Sequence, residues 1–161
     1  MSTNPTTITA PEGTPFLDVV REFDATPEQV FRALTEPKLV AQWLGPRDLE
    51  IDVEEYDVRP GGRYRYVHHS GHLGEDRAAF HGVFHAVEQN RLLIQTFEYE
   101  GVPNEVALET HRLDEVDGRT RLTTHSVFPS LATREGALAS GMQDGIRQSM
   151  DRLAELLVRG V

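Results

Sequence analysis

A carboxylate and an imidazole stand two residues apart at Glu109 and His111, in a stretch that alternates as a β-strand does. Residues two apart on a strand point to the same side of the sheet, so both side chains can act on one bound molecule. A carboxyl group and an imidazole can exchange protons with a substrate or orient a polar group. The pair is therefore the first candidate for acid–base chemistry or for hydrogen bonding to a ligand.

The turn at Asp117-Gly118 decides which residues of the next strand accompany this pair. Asp-Gly is a strong signal for a two-residue hairpin turn, which fixes the register of the strands that it joins. It places Ser126 opposite Glu109 and Thr124 opposite His111. A slip of one residue would turn every side chain to the other face, so two interpretations stay open. Either this polar set points inward, or the inward residues are Val106, Leu108 and Val127.

Three histidines lie between His68 and His72, with Glu75 and Asp76 nearby, and they invite interpretation as a metal site. Adjacent histidines on a strand point to opposite faces, which is poor geometry for one metal ion. The chain has no cysteine, so thiolate metal sites and a thiol nucleophile are excluded. We therefore predict no metal site and no cofactor, and interpret these histidines as part of a solvated loop.

The elements that must hold these side chains follow a simple order. A strand is predicted over Phe16–Phe23, and two short helices follow, the first beginning at Thr26-Pro27 and the second ending near Trp43. About six strands come next, over Ile51–Val58, Arg63–His68, Ala79–Glu88, Leu92–Glu100, Val106–Val116 and Arg119–Phe128. Residues 1–14 are rich in Thr and Pro and are predicted to be a flexible leader to a single domain over residues 15–161.

The longest helical period covers Thr133–Leu157, which we predict to be one terminal helix. Its apolar face consists of Leu138, Met142, Ile146, Met150, Leu153 and Leu157. Gly141, Gly145 and Ser149 lie four residues apart and form a strip without bulk. Such a strip lets the sheet approach closely or leaves room for a bound molecule.

This order predicts an α+β fold in which a curved antiparallel sheet wraps around the terminal helix. A curved sheet around one helix can leave a cavity between them. The residues predicted to bind a ligand there are Trp43, Phe80, Phe84, Phe97, Tyr99, Glu109, His111, Thr124, Ser126, Leu138, Met142 and Ile146. In Arg63-Tyr64-Arg65-Tyr66, either the tyrosines or the arginines face inward, and the alternation does not decide between them.

Composition limits the partners. The net charge of −10 argues against nucleic acid and anionic membrane surfaces, which both attract basic proteins. The first residues lack a basic start followed by an apolar run, and no apolar stretch is long enough to span a bilayer. We therefore expect a cytoplasmic globular protein whose partner is a small hydrophobic molecule.

Several motifs resemble a known superfamily. Residues 23–31 read Phe-Asp-Ala-Thr-Pro-Glu-Gln-Val-Phe, and the other motifs are Trp43-Leu44-Gly45-Pro46, Arg59-Pro60-Gly61-Gly62 and the ending Ser149–Leu157. Together with the element order they resemble the START-like helix-grip superfamily, also called SRPBCC. Within it, they are similar to the bacterial branch related to activators of heat-shock-protein ATPase. The resemblance covers roughly Phe16 to Val158 and implies the helix-grip fold.

The resemblance implies several functions, because this superfamily uses one scaffold for lipid carriers, polyketide cyclases and co-chaperone domains, among others. The leading hypothesis is binding of a small hydrophobic ligand between the terminal helix and the sheet. One alternative is an enzyme of the polyketide cyclase or hydrolase type that uses Glu109 and His111. Another alternative is a domain that activates a chaperone ATPase through its acidic surface. The length of about one domain makes this alternative weaker than the other two. A homodimer stays open.

Overall fold

Eight strands form one antiparallel sheet in this computed structural model, which describes residues 4–70 and 77–161. The strands are β1 (Thr7–Thr9), β2 (Phe16–Phe23), β3 (Glu50–Tyr56), β4 (Arg63–His69), β5 (Arg77–Glu88), β6 (Leu92–Tyr99), β7 (Ala107–Val116) and β8 (Arg119–Val127). The helices of the described residues are α1 (Pro27–Thr35), α2 (Pro37–Trp43), α3 (Leu131–Ala139) and α4 (Met142–Arg159). The order of strands across the sheet is β1-β2-β8-β7-β6-β5-β4-β3. This is the predicted α+β arrangement, with a curved sheet and a C-terminal helix.

The start of α1 follows from its sequence. The Thr26 hydroxyl accepts a hydrogen bond from the Gln29 backbone N–H at 3.3 Å, and the Gln29 side chain accepts one from the Thr26 N–H at 2.9 Å. This reciprocal capping satisfies two backbone donors, and Pro27 needs none at the first helical position. The Trp43 indole at the end of α2 donates to the Ala33 carbonyl at 2.8 Å, which ties the two short helices together.

The hairpin of β7 and β8 has the predicted register. Asp117 and Gly118 have φ angles of +53° and +76°, as a tight hairpin turn requires. Glu109 lies opposite Ser126, and His111 lies opposite Thr124. Leu108 is 45% exposed and Val106 is 38% exposed, so the alternative with Val106, Leu108 and Val127 inside is wrong.

The terminal segment differs from the single helix predicted over Thr133–Leu157. It forms α3 and α4, and the break falls at Gly141, whose φ of +88° lies in the left-handed region. Glycine adopts this conformation at the least steric cost, so the residue that looked like part of a helical strip is the point where the helix ends. Gly136 and Gly141 are exposed, with open space around them, whereas Gly145 faces inward.

The N-terminal segment contains a strand that composition did not predict. β1 pairs with β2, and three arginines hold the chain around it. Arg21 donates to the Thr6 hydroxyl at 2.8 Å, Arg147 to the Thr6 carbonyl at 2.9 Å, and Arg134 to the Pro11 carbonyl at 2.7 Å. Their partners lie far apart in sequence, so local composition carries no sign of them.

Apolar side chains pack α1, α2 and α4 against the sheet. Leu153, Leu156 and Leu157 of α4 lie in one cluster with Phe23, Val30 and Trp43. A second cluster joins Leu17, Ala107 and Phe128 to the helical residues Leu138, Met142 and Ile146. No helix of the described residues is long and apolar enough to cross a membrane.

Candidate functional site

A cavity of about 300 Å³ lies between α4 and the inward face of the sheet. Its volume falls at the lower end of the range that small-molecule sites occupy. Three surfaces bound it: a floor with a polar centre on β2, β8, β7 and β6, an aromatic wall on β3 to β6, and a roof made by α4, α2 and the loop after α2. Each surface follows from a different part of the sequence.

The polar floor consists of two rows of cross-strand neighbours. The first row is Leu93, His111, Thr124 and Val19, and the second is Gln95, Glu109, Ser126 and Leu17. All eight side chains line the cavity. Because neighbours across antiparallel strands share a face, the two rows bring five polar groups from three strands into one patch. Leu93 and Val19 stand at the two ends of the first row, and Leu17 stands at one end of the second.

Glu109 and His111 form the centre of the floor. The His111 Nε2 lies 3.7 Å from the Glu109 Oε1, which is close enough for charge interaction but too long for a direct hydrogen bond. The Ser126 hydroxyl donates to the Glu109 Oε2 at 3.3 Å, and the His111 Nδ1 lies 2.8 Å from the Thr124 hydroxyl oxygen. Each of the two side chains is 18% exposed.

Burial sets the proton states of this pair. It raises the pKa of Glu109 to about 7, an effect that the Ser126 hydrogen bond partly opposes. It lowers the pKa of His111 to about 4, because an imidazolium loses hydration in the cavity. Near neutral pH the imidazole is therefore uncharged, and the carboxyl group is divided between its protonated and ionised forms. The pair can both donate and accept a proton in this pH range.

The aromatic wall shows that the tyrosines of β4, and not its arginines, face inward. Tyr64 and Tyr66 point into the cavity, whereas Arg65 lies on the outer face, where it pairs with Glu100 at 2.8 Å. Phe80 extends this wall by stacking with Tyr66 and with Phe97, the ring centroids lying 5.3 Å apart in both pairs. Stacked rings of this kind form a flat, apolar surface.

Two tyrosine hydroxyl groups of this wall bond to backbone carbonyls. Tyr56 donates to Leu34 at 2.8 Å, and Tyr64 donates to Thr96 at 2.5 Å. Burial raises the pKa of both phenols, and the negative charge of Glu109 adds to the effect. Both tyrosines therefore remain neutral at physiological pH, and their rings are fixed in place by the hydrogen bonds.

Within the roof, two side chains of α4 bind the loop after α2. The Ser149 hydroxyl accepts a hydrogen bond from the Gly45 N–H at 2.8 Å, and Arg152 donates to the Gly45 carbonyl at 2.9 Å. Gly45 has a φ of +99°, and a Cβ there would lie 2.2 Å from the Cε1 of His68. Only glycine fits this position, which explains Gly45 in the loop after α2.

Most of the predicted binding residues line the cavity. They are Trp43, Phe80, Phe97, Glu109, His111, Thr124, Ser126, Met142 and Ile146. Three others are absent from its lining. Phe84 is fully buried against Tyr64 beside an irregularity in β5, Tyr99 is exposed at the end of β6, and Leu138 packs in the second apolar cluster from α3. Ligand binding by the nine lining residues stays a prediction.

Several lining residues were not among the predicted binding residues. They include Leu17, Val19, Tyr56, His68, Gln95, Gly145 and Ser149. Gln95 could have been found, since it lies two residues from the inward Phe97 on one strand. Ser149 belonged to the predicted strip, although its partner at Gly45 is 104 residues away.

The histidine-rich stretch is divided between the two faces of the sheet, as predicted for adjacent residues. The interpretation as a solvated loop is wrong for His68 and His69, because both lie in β4. His68 is buried beside the cavity, and the His69 Nε2 lies 3.0 Å from Asp52 on the other side. His72, Glu75 and Asp76 lie outside the described residues. Within residues 4–70 and 77–161, no three His, Cys, Asp or Glu side chains come together as metal ligands would.

Comparisons with known proteins agree with this architecture. A crystal structure of a protein from Rhodobacter sphaeroides is 27% identical with a TM-score of 0.86, covering 96% of this chain and 99% of the other. Protein Ms6760 from Mycobacterium smegmatis is 23% identical with a TM-score of 0.85, covering 95% and 97%. A protein from Arthrobacter aurescens, solved by NMR, is 23% identical with a TM-score of 0.86, covering 96% and 92%. A comparison with curated proteins found no match.

The family comparison is decisive for classification. The family model described as activator of Hsp90 ATPase homolog 1-like protein matches residues 24–158, which is most of the chain. The match agrees with the SRPBCC resemblance of the sequence motifs and with the solved structures of the same fold. This chain belongs to the family of activator of Hsp90 ATPase homolog 1-like proteins, with an SRPBCC-type domain.

Proposed function

We propose that this protein binds one small, largely apolar molecule in the cavity beneath α4. The observation that carries the proposal is the combination of an aromatic wall with a compact polar floor around one cavity of about 300 Å³. Binding sites for small molecules have this composition, because apolar contact supplies affinity and a few polar groups fix orientation. The proposal includes the cytoplasmic location expected from the sequence.

The roof supports the proposal by leaving space where a helix would normally carry a side chain. Gly145 lines the cavity, and a Cβ at this position would meet only the Pro46 Cγ, at 3.9 Å. A glycine inside a helix is about 1 kcal/mol less favourable than alanine. The open cavity beneath Gly145 accounts for this cost in helix stability, because a larger side chain would occupy the space that the ligand needs.

The test is a screen for retained and added ligands. We expect native mass spectrometry of the purified protein, or thermal-shift assays with a panel of apolar compounds, to identify a bound molecule. Gly145→Leu should abolish binding by filling the cavity. Gly136→Leu is the matched control, because Gly136 is helical but exposed, with open space around it. Absence of any retained or stabilising compound would argue against the proposal, and so would equal binding by both variants.

A second candidate is acid–base catalysis, which the Glu109–His111 pair favours. The two side chains lie 3.7 Å apart in a buried setting that keeps the imidazole neutral and gives the carboxyl group a pKa of about 7. A general acid or base works best with a pKa near the working pH. Once a bound molecule is identified, its conversion should stop in the Glu109→Gln and His111→Gln double variant. Unchanged conversion by that variant would leave binding as the function.

A further inference from the structure

The cavity lining can carry negative charge but no positive charge near neutral pH. Among the described residues that line it, Glu109 is the only acid, and there is no lysine or arginine. The two lining histidines are His68 and His111, and burial lowers the pKa of each, so that neither provides a positive charge at neutral pH. Any charge that the lining carries near neutral pH is therefore negative.

Arg152 lies near the roof, but its guanidinium is bound elsewhere. Arg152 acts electrostatically on His68, which places it close to the roof. Its two terminal nitrogens donate to the carbonyls of Gln42, Gly45 and Pro46 at 3.1, 2.9 and 3.3 Å. These bonds hold the loop after α2 on α4. Arg152 is therefore a tie between elements, and an anionic ligand in the cavity would have to compete with three carbonyl groups for it.

A carboxylate ligand would be disfavoured in such a lining for two reasons. Removing an anion from water without a partner is expensive, and a second negative charge near Glu109 adds repulsion that solvent screens only weakly. A hydroxyl group meets neither penalty, because the ionised Glu109 accepts its proton in a hydrogen bond. A carbonyl group can accept a hydrogen bond from protonated Glu109 or from the Gln95 amide.

We propose that the ligand of this cavity is an uncharged molecule with an aromatic body and a hydroxyl or carbonyl group directed at Glu109, and that the cavity rejects carboxylates. The aromatic body lies against the wall of Tyr66, Phe80 and Phe97. The polar end meets Gln95, Glu109 and His111 on the floor. This inference rests on the proposed ligand-binding function and names the chemical class that it selects.

Two probes with the same aromatic skeleton test the selection. At about pH 8, 2-naphthol is uncharged, 2-naphthoate is ionised, and Glu109 is mostly ionised. We expect the wild-type protein to bind 2-naphthol at least about tenfold more tightly than 2-naphthoate in fluorescence or calorimetric titrations. Glu109→Gln should narrow this ratio to within about threefold, mainly by improving the binding of 2-naphthoate.

The matched control is Glu115→Gln, which removes one negative charge from an exposed position on the same strand. It should leave the ratio at its wild-type value, because exposed charges are screened by solvent. Equal binding of the two probes would overturn the selectivity, and a ratio that Glu109→Gln does not change would overturn its assignment to Glu109. Either result would leave ligand binding intact. Failure of both probes to bind would contradict the proposed function and this inference together. Circular dichroism establishes that each variant is folded.

Discussion

The aromatic wall and the polar floor line the same cavity but are built differently. The rings of the wall stack on one another, and the hydroxyl groups of Tyr56 and Tyr64 are bonded to backbone carbonyls. On the floor, Glu109 and His111 face each other without a direct hydrogen bond and have shifted pKa values. The wall therefore contributes mainly to stability and shape. The floor keeps polar groups available, which suits selection of a ligand rather than stabilisation of the fold.

The largest expected effect is on the wall. Phe80→Ala removes a ring that stacks with Tyr66 and Phe97, and should lower the free energy of unfolding by about 3 kcal/mol. Urea denaturation measures this loss. Val83→Ala on the same strand is the control, because Val83 is exposed and should cost less than about 0.5 kcal/mol. Similar losses at both positions would show that the wall does not contribute to stability as described.

On the floor, the expected effect depends on pH and has opposite signs for the two residues. The pKa of Glu109 is about 7 in the folded protein against an ordinary 4.5, so the folded state binds more protons between these values and stability falls as pH rises. The pKa of His111 is about 4 against an ordinary 6.5, so the folded state binds fewer protons and stability rises with pH. In the wild-type protein the two trends largely cancel between about pH 4.5 and 6.5.

Single variants should separate these trends. Relative to wild type, Glu109→Gln should gain about 2 kcal/mol of stability as pH rises from about 4.5 to 7, because it removes a buried charge. His111→Gln should show its relative gain at low pH and lose it towards about pH 6.5. The other titratable groups lining this cavity are His68, Tyr56, Tyr64 and Tyr66, which both variants keep. Urea denaturation across this pH range measures the free energy of unfolding of each variant. Parallel plots of this free energy against pH for the two variants would contradict the opposite trends.

The smallest effect should come from Ser126→Ala. Its hydrogen bond to Glu109 is 3.3 Å long and lowers the pKa of that carboxyl group, so its loss should raise the pKa further. The change in stability should stay below about 1 kcal/mol. Infrared or NMR titration of the Glu109 carboxyl group measures the shift. A lower pKa in the variant would mean that the floor is organised by another contact.

The hairpin was predictable because its signal is local. Asp117-Gly118 fixes the turn, the turn fixes the register, and the register brings Glu109 next to Ser126. The capping residues of α1 act within one helical turn and were also predictable. In both cases the interacting residues are close in sequence, so their types and spacing contain the necessary information. Which face of the hairpin points inward needed the structure, since alternation fits both.

Features that depend on distant partners escaped prediction. The break before α4 looks like a helical period in sequence, yet Gly141 has a φ of +88° and ends the helical run there. Tyr99 follows the alternation of Phe97, yet the strand ends there and leaves it exposed. The close contact between Gly45 and His68 joins parts of the chain with no common motif. Side-chain positions at element ends and contacts between elements were therefore the weakest part of the sequence interpretation.

The three arginines that bind the N-terminal segment have a consequence for how this protein can be trimmed. Arg21 and Arg134 are each 3% exposed and take hydrogen bonds to residues 6 and 11 as part of their solvation. Cutting the chain just before Phe16 would remove those acceptors and leave the two buried guanidinium groups with fewer hydrogen-bond partners, chiefly Asp151 and Glu135. Such a shortened chain should express poorly and be cleaved more readily by proteases. The composition of the segment, rich in Thr and Pro, suggests instead that its removal would not affect stability.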